Sequence, residues 1–428
     1  MESLKGKRLL VLGGSIWKDA IKSFADEHGV YLISAGLYPA GTDEIAQEYY
    51  RIDTTKAELM KPFIREHKID GVYMGGSELI ISSACEYINE LGLPCYATKA
   101  QWNFLQDKRK FKELCLQYDL PVVPKFSIDT NNINNSIPID TFPVIIKPTD
   151  GCGSKGFSVC NNIEELEEGY NRAKAASPSG SVICEKFVKN DACGFFATFS
   201  NGKMIFSGLE DKIPVMYEKE RSYVGGIFLF QSKLIPEFRR LFEKKLQNLF
   251  QSIGIKEGSV WIEVFYDNGQ YFFNEVGFRY GGSVSIYPVD YFYGINQVAS
   301  DIYFALTGKS CIIGHKSLIS NTIKRKKYYC AYPVHMKAGK IYKIKGVEQL
   351  CNNQNIILVS LNKNEGDCVA QTGSFSQVIA LVHFIFDDLK DCKKMVSYIH
   401  ETFIVTDEKN ENLIDRKLKD TEIRFLGE

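Results

Sequence analysis

The sequence predicts a mixed fold: a parallel α/β unit first, an antiparallel α+β region in the middle, and a small α+β domain at the end. Three observations predict it. The first hundred residues alternate strand and helix patterns, two Asn-Gly turns flanked by strand-forming residues mark the middle, and the pattern resets near residue 330.

In order, "RLLVLGG" (8–14) reads as a buried strand running into a glycine turn, and "SIWKDAIKSFADEHG" as a helix capped by Ser15. "VYLIS" (30–34) and "DGVYMGG" (70–76) read as further strands. "TTKAELMKPFIREHK" (54–68) and the segment opening "SELIISSACEY" at Ser77 read as helices. The polar stretch "TNNINNSIP" (130–138) reads as an irregular loop. "FFATFSNGKMIFSG" (195–208) and "IEVFYDNGQYFFNEV" (262–276) each read as a hairpin. Beyond residue 330, "AGKIYKIKG" and "NIILVSLNKNEGDCV" suggest short strands. "FSQVIALVHFIFDDLKDCKKMVSYIHETF" suggests one or two helices.

Composition narrows the function classes. The 428 residues carry 52 basic and 52 acidic side chains, so no net charge favours nucleic acid or an anionic membrane. "KRKK" (324–327) reads as a solvated loop. The longest apolar run, "VIALVHFIF", is half the length of a membrane span, and the N-terminal apolar run is too short for a secretory signal. Twelve cysteines without a C-x-x-C pair argue against zinc and a disulfide framework, and for a cytoplasmic, reduced protein. The Gly-Gly-Ser after the first strand lacks the full G-x-G-x-x-G and its acidic partner, so a tight turn is preferred there over a dinucleotide site.

The chemistry concentrates in four places. Glu263 and Glu275 lie twelve apart around the Asn268-Gly269 turn, so they fall opposite one another once a bulge absorbs a one-residue offset. Both interrupt strongly apolar sequence, and paired buried carboxylates need a compensating cation; hard oxygens in a pair suit Mg²⁺ on nucleotide phosphates. The alternative is two solvent-facing residues on a half-exposed sheet. Arg279, followed by Gly281-Gly282, adds a guanidinium able to clamp an anion beside backbone that a ligand can approach. "VIIKPTDGCGSKGFSV" (144–159) places Lys147 at the end of a strand, before the glycines at 151, 153 and 156, with Ser154 and Lys155 between. That order is not a P-loop; it reads as a glycine hairpin closing over phosphates, or as an ordinary exposed turn. "SVICEKFVKN" (181–190) is a strand whose backbone and Glu185 would suit the edge of an adenine, or simply a strand with a glutamate.

In this order the segments resemble the ATP-grasp superfamily, which includes biotin carboxylase, carbamoyl-phosphate synthetase and amino-acid ligases. The resemblance spans nearly the whole chain. It implies a Rossmann-like pre-ATP-grasp domain (1–105), a two-part ATP-grasp domain (106–315, with a lid at about 125–190) and a C-terminal α+β domain (316–428). "DKRKFKELCLQYDLPVVP" (107–124) resembles the entry segment, making Lys108 the first nucleotide lysine and Lys147 the second. By the same resemblance, Gly151, Gly153, Ser154, Lys155 and Gly156 form the lid loop, and Glu185, Lys186 and Val188 face adenine. Glu263 and Glu275 bind Mg²⁺ or Mn²⁺, and Arg279 clamps the anion. Two departures stand out. Gly277 replaces the asparagine of the usual Glu-x-Asn-x-Arg, so a second metal would lean on water or on Asn274. Ala192 and Cys193 occupy the usual place of an acidic ribose ligand, for which Asp191 is a shifted substitute.

Lys212 in "LEDKIP" either reaches a transferring phosphate or sits on the surface; Glu78 either points into the site or caps a helix. His335 and His383 have no motif around them and read as structural. The resemblance implies ATP-dependent ligation of a small-molecule carboxylate to an amine, with no nucleic acid or membrane partner and with a homodimer as one possible assembly. The rivals are a bicarbonate-using carboxylase or carbamoyl-phosphate type of enzyme, an ATP-binding protein without ligase activity, and, more distantly, a Rossmann oxidoreductase.

Overall fold

The computed structural model describes residues 2–13, 15–39, 41–133, 136–149, 156–177, 179–188, 191–220, 222–314 and 326–428. The glycine-loop residues Gly151, Gly153, Ser154 and Lys155, the side chain of Ser15, and the first half of "KRKK" lie outside the described residues.

The chain opens with β1 (Arg8–Val11), α1 (Lys18–His28), β2 (Tyr31–Gly36), β3 (Glu48–Arg51), α2 (Ala57–Glu66), β4 (Gly71–Tyr73) and α3 (Glu78–Glu90). The strands pair in parallel in the order β3-β2-β1-β4, as the strand–helix alternation predicts. Two helices follow, α4 (Lys99–Gln106) and α5 (Lys108–Gln117). Asp107 caps α5, its carboxylate accepting from the backbone N–H of Arg109 at 2.9 Å.

A second sheet contains β5 (Lys125–Phe126), β6 (Val144–Pro148), β7 (Ser158–Cys160) and β8 (Val182–Lys186), in the order β5-β8-β6-β7. Helix α6 (Leu166–Ala176) covers it, and Leu166 and Ala173 join Val144, Ile146, Cys160 and Cys184 in a core of their own.

The largest sheet has eight antiparallel strands. It begins with the hairpin of β9 (Ala192–Ser200) and β10 (Lys203–Tyr217), followed by β11 (Ser222–Phe230) and helix α7 (Ile235–Ser252). The second hairpin is β12 (Gly258–Asp267) and β13 (Gln270–Gly277), after which come α8 (Ile286–Tyr293) and α9 (Gln297–Thr307). Both hairpin turns have Asn and Gly at positive φ (Asn201 51°, Gly202 75°; Asn268 49°, Gly269 79°), the backbone that made Asn-Gly the predictive signal. The remaining elements are β14 (Tyr328–His335), β15 (Gly339–Lys340), β16 (Lys343–Lys345), α10 (Val347–Cys351), β17 (Ile356–Leu361), β18 (Cys368–Val369), β19 (Val378–Phe386), α11 (Leu389–Thr402) and β20 (Ile404–Thr406). The sheet order is β13-β12-β9-β10-β11-β14-β19-β17, so strands from beyond residue 316 continue the sheet that carries both hairpins.

One segment differs from expectation. The stretch opening "FSQVIALVHFIF" reads as helix from its apolar run, but residues 378–386 form β19, and only the second half is helical, in α11. The sheet is covered on both faces. Phe195, Ala197 and Phe199 face a core shared with Phe238 and Phe242 of α7, while Phe196 and Phe228 face one shared with Val298 and Ile302 of α9. A strand buried on both faces loses its period-two alternation, and a short apolar run then cannot be told from a buried helix by pattern.

Helix α9 also joins the sheets. Gly71 of β4 lies against it so closely that a Cβ there would overlap the backbone carbonyl of Ala305. His335 and His383 are buried, as their lack of a motif suggested, with Tyr217 Oη 2.9 Å from His335 Nδ1 and Tyr329 Oη 2.8 Å from His383 Nδ1. Burial pushes the His383 imidazole down to about 3.

Gly71→Ala is expected to cost about 1–3 kcal/mol, because the obstacle is backbone that cannot step aside; urea unfolding measures it. The depressed His383 pKa gives a second expectation. Its contribution to stability is complete above the ordinary histidine pKa of about 6.5 and is lost as pH falls towards the folded value. Between pH 7 and 5 the wild type should therefore lose stability relative to His383→Phe, and parallel urea midpoints across that range would refute it.

Candidate active site

The site starts from the β12–β13 hairpin. Glu263 and Glu275 are direct cross-strand partners, and the register shift lies between Glu263 and Val264, where the sequence offset required a bulge. The same transverse row continues through Gly194 of β9 to Glu210 of β10. Gly194 is needed there: a Cβ would overlap the Glu210 carboxyl, which lies across the glycine.

Each carboxylate of the hairpin faces a lysine. Lys212 pairs with Glu263, and Asn274 donates to the other Glu263 oxygen at 2.7 Å. Burial alone would raise the Glu263 pKa, but the Lys212 charge and these hydrogen bonds outweigh it and hold the carboxyl below its ordinary range. Lys108, the first residue of α5, reaches Glu275 at 2.8 Å. Lys212 is therefore half-buried in the site and not a surface residue.

A second cluster forms where α5 meets the smaller sheet. Glu185 is 2% exposed and holds two ammonium groups, Lys112 and Lys147, the latter at 2.7 Å. Burial opposes ionisation here too, and the two lysine charges overcome it, leaving the Glu185 pKa lowered. The carboxylate expected to meet an adenine amine is thus engaged in positioning lysines. The N–H groups of Lys186 and Phe187 are committed as well, to the carbonyls of Pro124 (2.9 Å) and Pro143 (3.0 Å), and Val188 is buried. Lys112 was not singled out in the sequence, although it stands one helical turn beyond Lys108 on the same face of α5.

Arg279 donates through Nη2 and Nε to Glu78 Oε1, at 2.6 and 3.2 Å. Glu78, the first residue of α3, thereby joins the site. The guanidinium lies over the Trp261 ring, 5.4 Å from its centroid. Trp261 and Gly277 are cross-strand partners, and a Cβ at Gly277 would overlap the indole nitrogen. Of the paired glycines, Gly281 is required by packing against Phe196 and Ser285, whereas Gly282 borders open space. Gly156, at φ 76°, turns the chain into β7.

Asp191, the shifted ribose ligand of the sequence reading, pairs through its carboxylate with Arg424 near the C-terminus and lies on the wall of neither cavity described below.

Two cavities meet at this row. An outer one of about 530 Å³ lies between Lys147, Pro148 and Phe157 on one side and Lys108, Phe265 and Asn274 on the other. An inner one of about 270 Å³ reaches Glu210, Gly282 and Ser283. Lys212, Trp261, Glu263, Glu275 and Arg279 belong to the walls of both. Glu210 was also missed in the sequence, where an acid two residues before Lys212 on a strand was the available signal. Its carboxyl accepts from the Ser283 hydroxyl at 2.9 Å and is pushed up to about 8 by burial.

Residues 107–192 match the family described as "Carbamoyl-phosphate synthase L chain, ATP binding domain". Among curated proteins, the formate-dependent phosphoribosylglycinamide formyltransferase of Prochlorococcus marinus (strain MIT 9303) is 26% identical over 190 residues, covering 43% of this chain and 48% of that protein. The chain thus spans about half the length of that relative. The biotin carboxylase domain of Hydrogenobacter thermophilus 2-oxoglutarate carboxylase, solved as a dimer with MgADP and bicarbonate, superposes with a TM-score of 0.72 at 18% identity, covering 98% of this chain and 96% of that one. The L-amino acid ligase of Bacillus licheniformis superposes with a TM-score of 0.72 at 17% identity, covering 94% and 98%. The matched ATP-binding domain thus covers residues 107–192, and the fold of the chain as a whole is shared with these solved structures.

Proposed function

We propose that the chain is an ATP-dependent ligase that activates a small-molecule carboxylate as an acyl phosphate for attack by an amine. The observation that carries this reading is the meeting of two cavities at one charged row, where Lys212 and Arg279 stand beside the Glu263–Glu275 pair. A nucleotide fits the outer space and an organic acid the inner one, so the γ-phosphorus and the carboxylate would meet at the shared wall. In this reading residues 1–105 are the pre-ATP-grasp unit, 106–315 the grasp with its lid, and 316–428 the C-terminal unit.

The donor set fits a divalent cation: two facing carboxylates supply hard oxygens, and Gly277 adds no further side chain. Glu263 and Glu275 would hold Mg²⁺ or Mn²⁺, which would neutralise charge on the phosphate oxygens. Lys108 and Lys212, now balancing those carboxylates, would then be released towards phosphate. Lys147 enters from the opposite wall, aimed by Glu185. A carboxylate oxygen of the substrate attacks the γ-phosphorus, the bond to the β-phosphate oxygen breaks, and ADP leaves. The amine nitrogen then attacks the acyl carbon, phosphate departs, and the nitrogen loses a proton. The contribution of the chain is positioning and charge stabilisation, the main levers in phosphoryl transfer. A 270 Å³ inner cavity is far larger than bicarbonate requires, which favours an organic acid over the carboxylase reading.

A screen of carboxylates against amines, read by ADP release, tests this. Glu275→Gln should lower turnover on the order of 10²-fold, the scale of losing one electrostatic stabiliser; full activity would remove the metal assignment. Restoring the usual asparagine at Gly277 should harm the site, because Trp261 occupies its place. Gly277→Asn is expected to cost about 1–3 kcal/mol in urea unfolding and to change the tryptophan fluorescence, whereas an unchanged spectrum would contradict the packing argument.

A further inference from the structure

Each carboxylate of the hairpin row, and Glu185 nearby, has a lysine against it, but Glu210 does not. It is 5% exposed on the inner wall, and among the described residues no cation lies within ion-pair distance of it. Ser283 supplies one hydrogen bond, and Gly194 clears the space in which the carboxyl lies. A buried acid in a cavity wall without a counter-charge suits a ligand that brings one. A metal ion is poorly served here, since one carboxyl and one hydroxyl fall well short of the six or more oxygens such cations take.

Four aromatic side chains also border the inner cavity. Tyr223, Phe228 and Trp261 line it, and Phe375 enters from the loop before β19. Phe375 is 38% exposed, yet its loop is held in place. The Gln377 side-chain oxygen accepts from the N–H of Thr372 at 2.8 Å and of Gly373 at 2.7 Å, and Ser222 donates to the Gly373 carbonyl. An exposed aromatic on a fixed loop beside a cavity is an arrangement for contact with a ligand. A cavity of about 150 Å³ lodges one benzene ring, so this one admits a ring with a short polar chain.

We propose that the inner cavity binds an α-amino acid with an apolar, ring-sized side chain. Glu210, oriented by Ser283, receives the ammonium group, Arg279 and the shared wall face the carboxylate, and Phe375 with Tyr223 and Phe228 covers the side chain. The assignment of the carboxylate to the reacting end rests on the ligase reading; recognition of the ammonium group does not.

Calorimetric titration of the full chain, with a non-hydrolysable ATP analogue present, compares phenylalanine with 3-phenylpropanoate, which lacks only the amino group. The wild type should prefer phenylalanine by about tenfold or more, the scale of one charged hydrogen bond. Glu210→Gln should abolish that preference while leaving 3-phenylpropanoate within about twofold. Phe375→Ala, a change at an exposed position, should weaken phenylalanine several-fold and alanine less. A preference retained in Glu210→Gln, equal wild-type affinity for the two probes, or binding of neither would overturn the proposal. A separate titration of the ATP analogue keeps the two readings apart. If the nucleotide binds and the preference is absent, only this inference fails; if the nucleotide does not bind, the ligase reading fails.

Discussion

Charge balance among buried carboxylates and lysines is the constraint on which the rest of the cleft depends. Glu263 and Glu185 are drawn into low-dielectric surroundings, where an unpaired carboxylate would be strongly destabilising, and Glu275 stands half-buried beside Glu263. Each is held by ammonium groups from another element: Lys212 from β10, Lys108 and Lys112 from α5, and Lys147 from β6. These contacts fix how α5, the smaller sheet and the large sheet meet. In the proposed reading, a nucleotide with its cations would enter without leaving charge unmatched, since the lysines can exchange one set of oxygens for another.

The backbone makes that arrangement possible by what it omits. Gly194 lets Glu210 lie across a strand, and Gly277 lets the Trp261 indole fold over the hairpin, where it supports the Arg279 guanidinium. Gly194 lies inside β9 and Gly277 ends β13, and in a strand a missing side chain weakens the pairing unless another group approaches closely. At each position another group does. The departure at Gly277 is thus one half of a packed pair whose other half is Trp261.

The hairpins and the facing glutamates were legible because their signals are local: Asn-Gly dictates the turn, and spacing about the turn dictates the partner. Lys112 and Glu210 were not, because each acquires its role only from a partner distant in sequence, Glu185 and Ser283 respectively, while Glu78 stood open between site and helix cap until its partner Arg279, equally distant, was seen. Strand β19 was misread for a different reason. Burial on both faces removes the alternation that identifies a strand, so the fold hides the signal it creates. Asp191 is an acid at a plausible spacing whose counter-charge, Arg424, comes from the far end of the chain, a partner that local spacing does not reveal.

The Glu185 cluster differs in kind from the hairpin row. Lys112 belongs to α5 and Lys147 to the smaller sheet, and one carboxylate holds both, so the sheet's approach to the body and the placement of two cations are a single event. The cost of stripping water from Glu185 is met only while both lysines are in place. Rotation of the smaller sheet away from α5 would carry Glu185 and Lys147 together and withdraw them from Lys112, leaving the acid with one partner and exposing the outer cavity. Electrostatics thereby ties the geometry that aims Lys147 to the geometry that encloses the space it faces, which no cluster confined to one sheet could do.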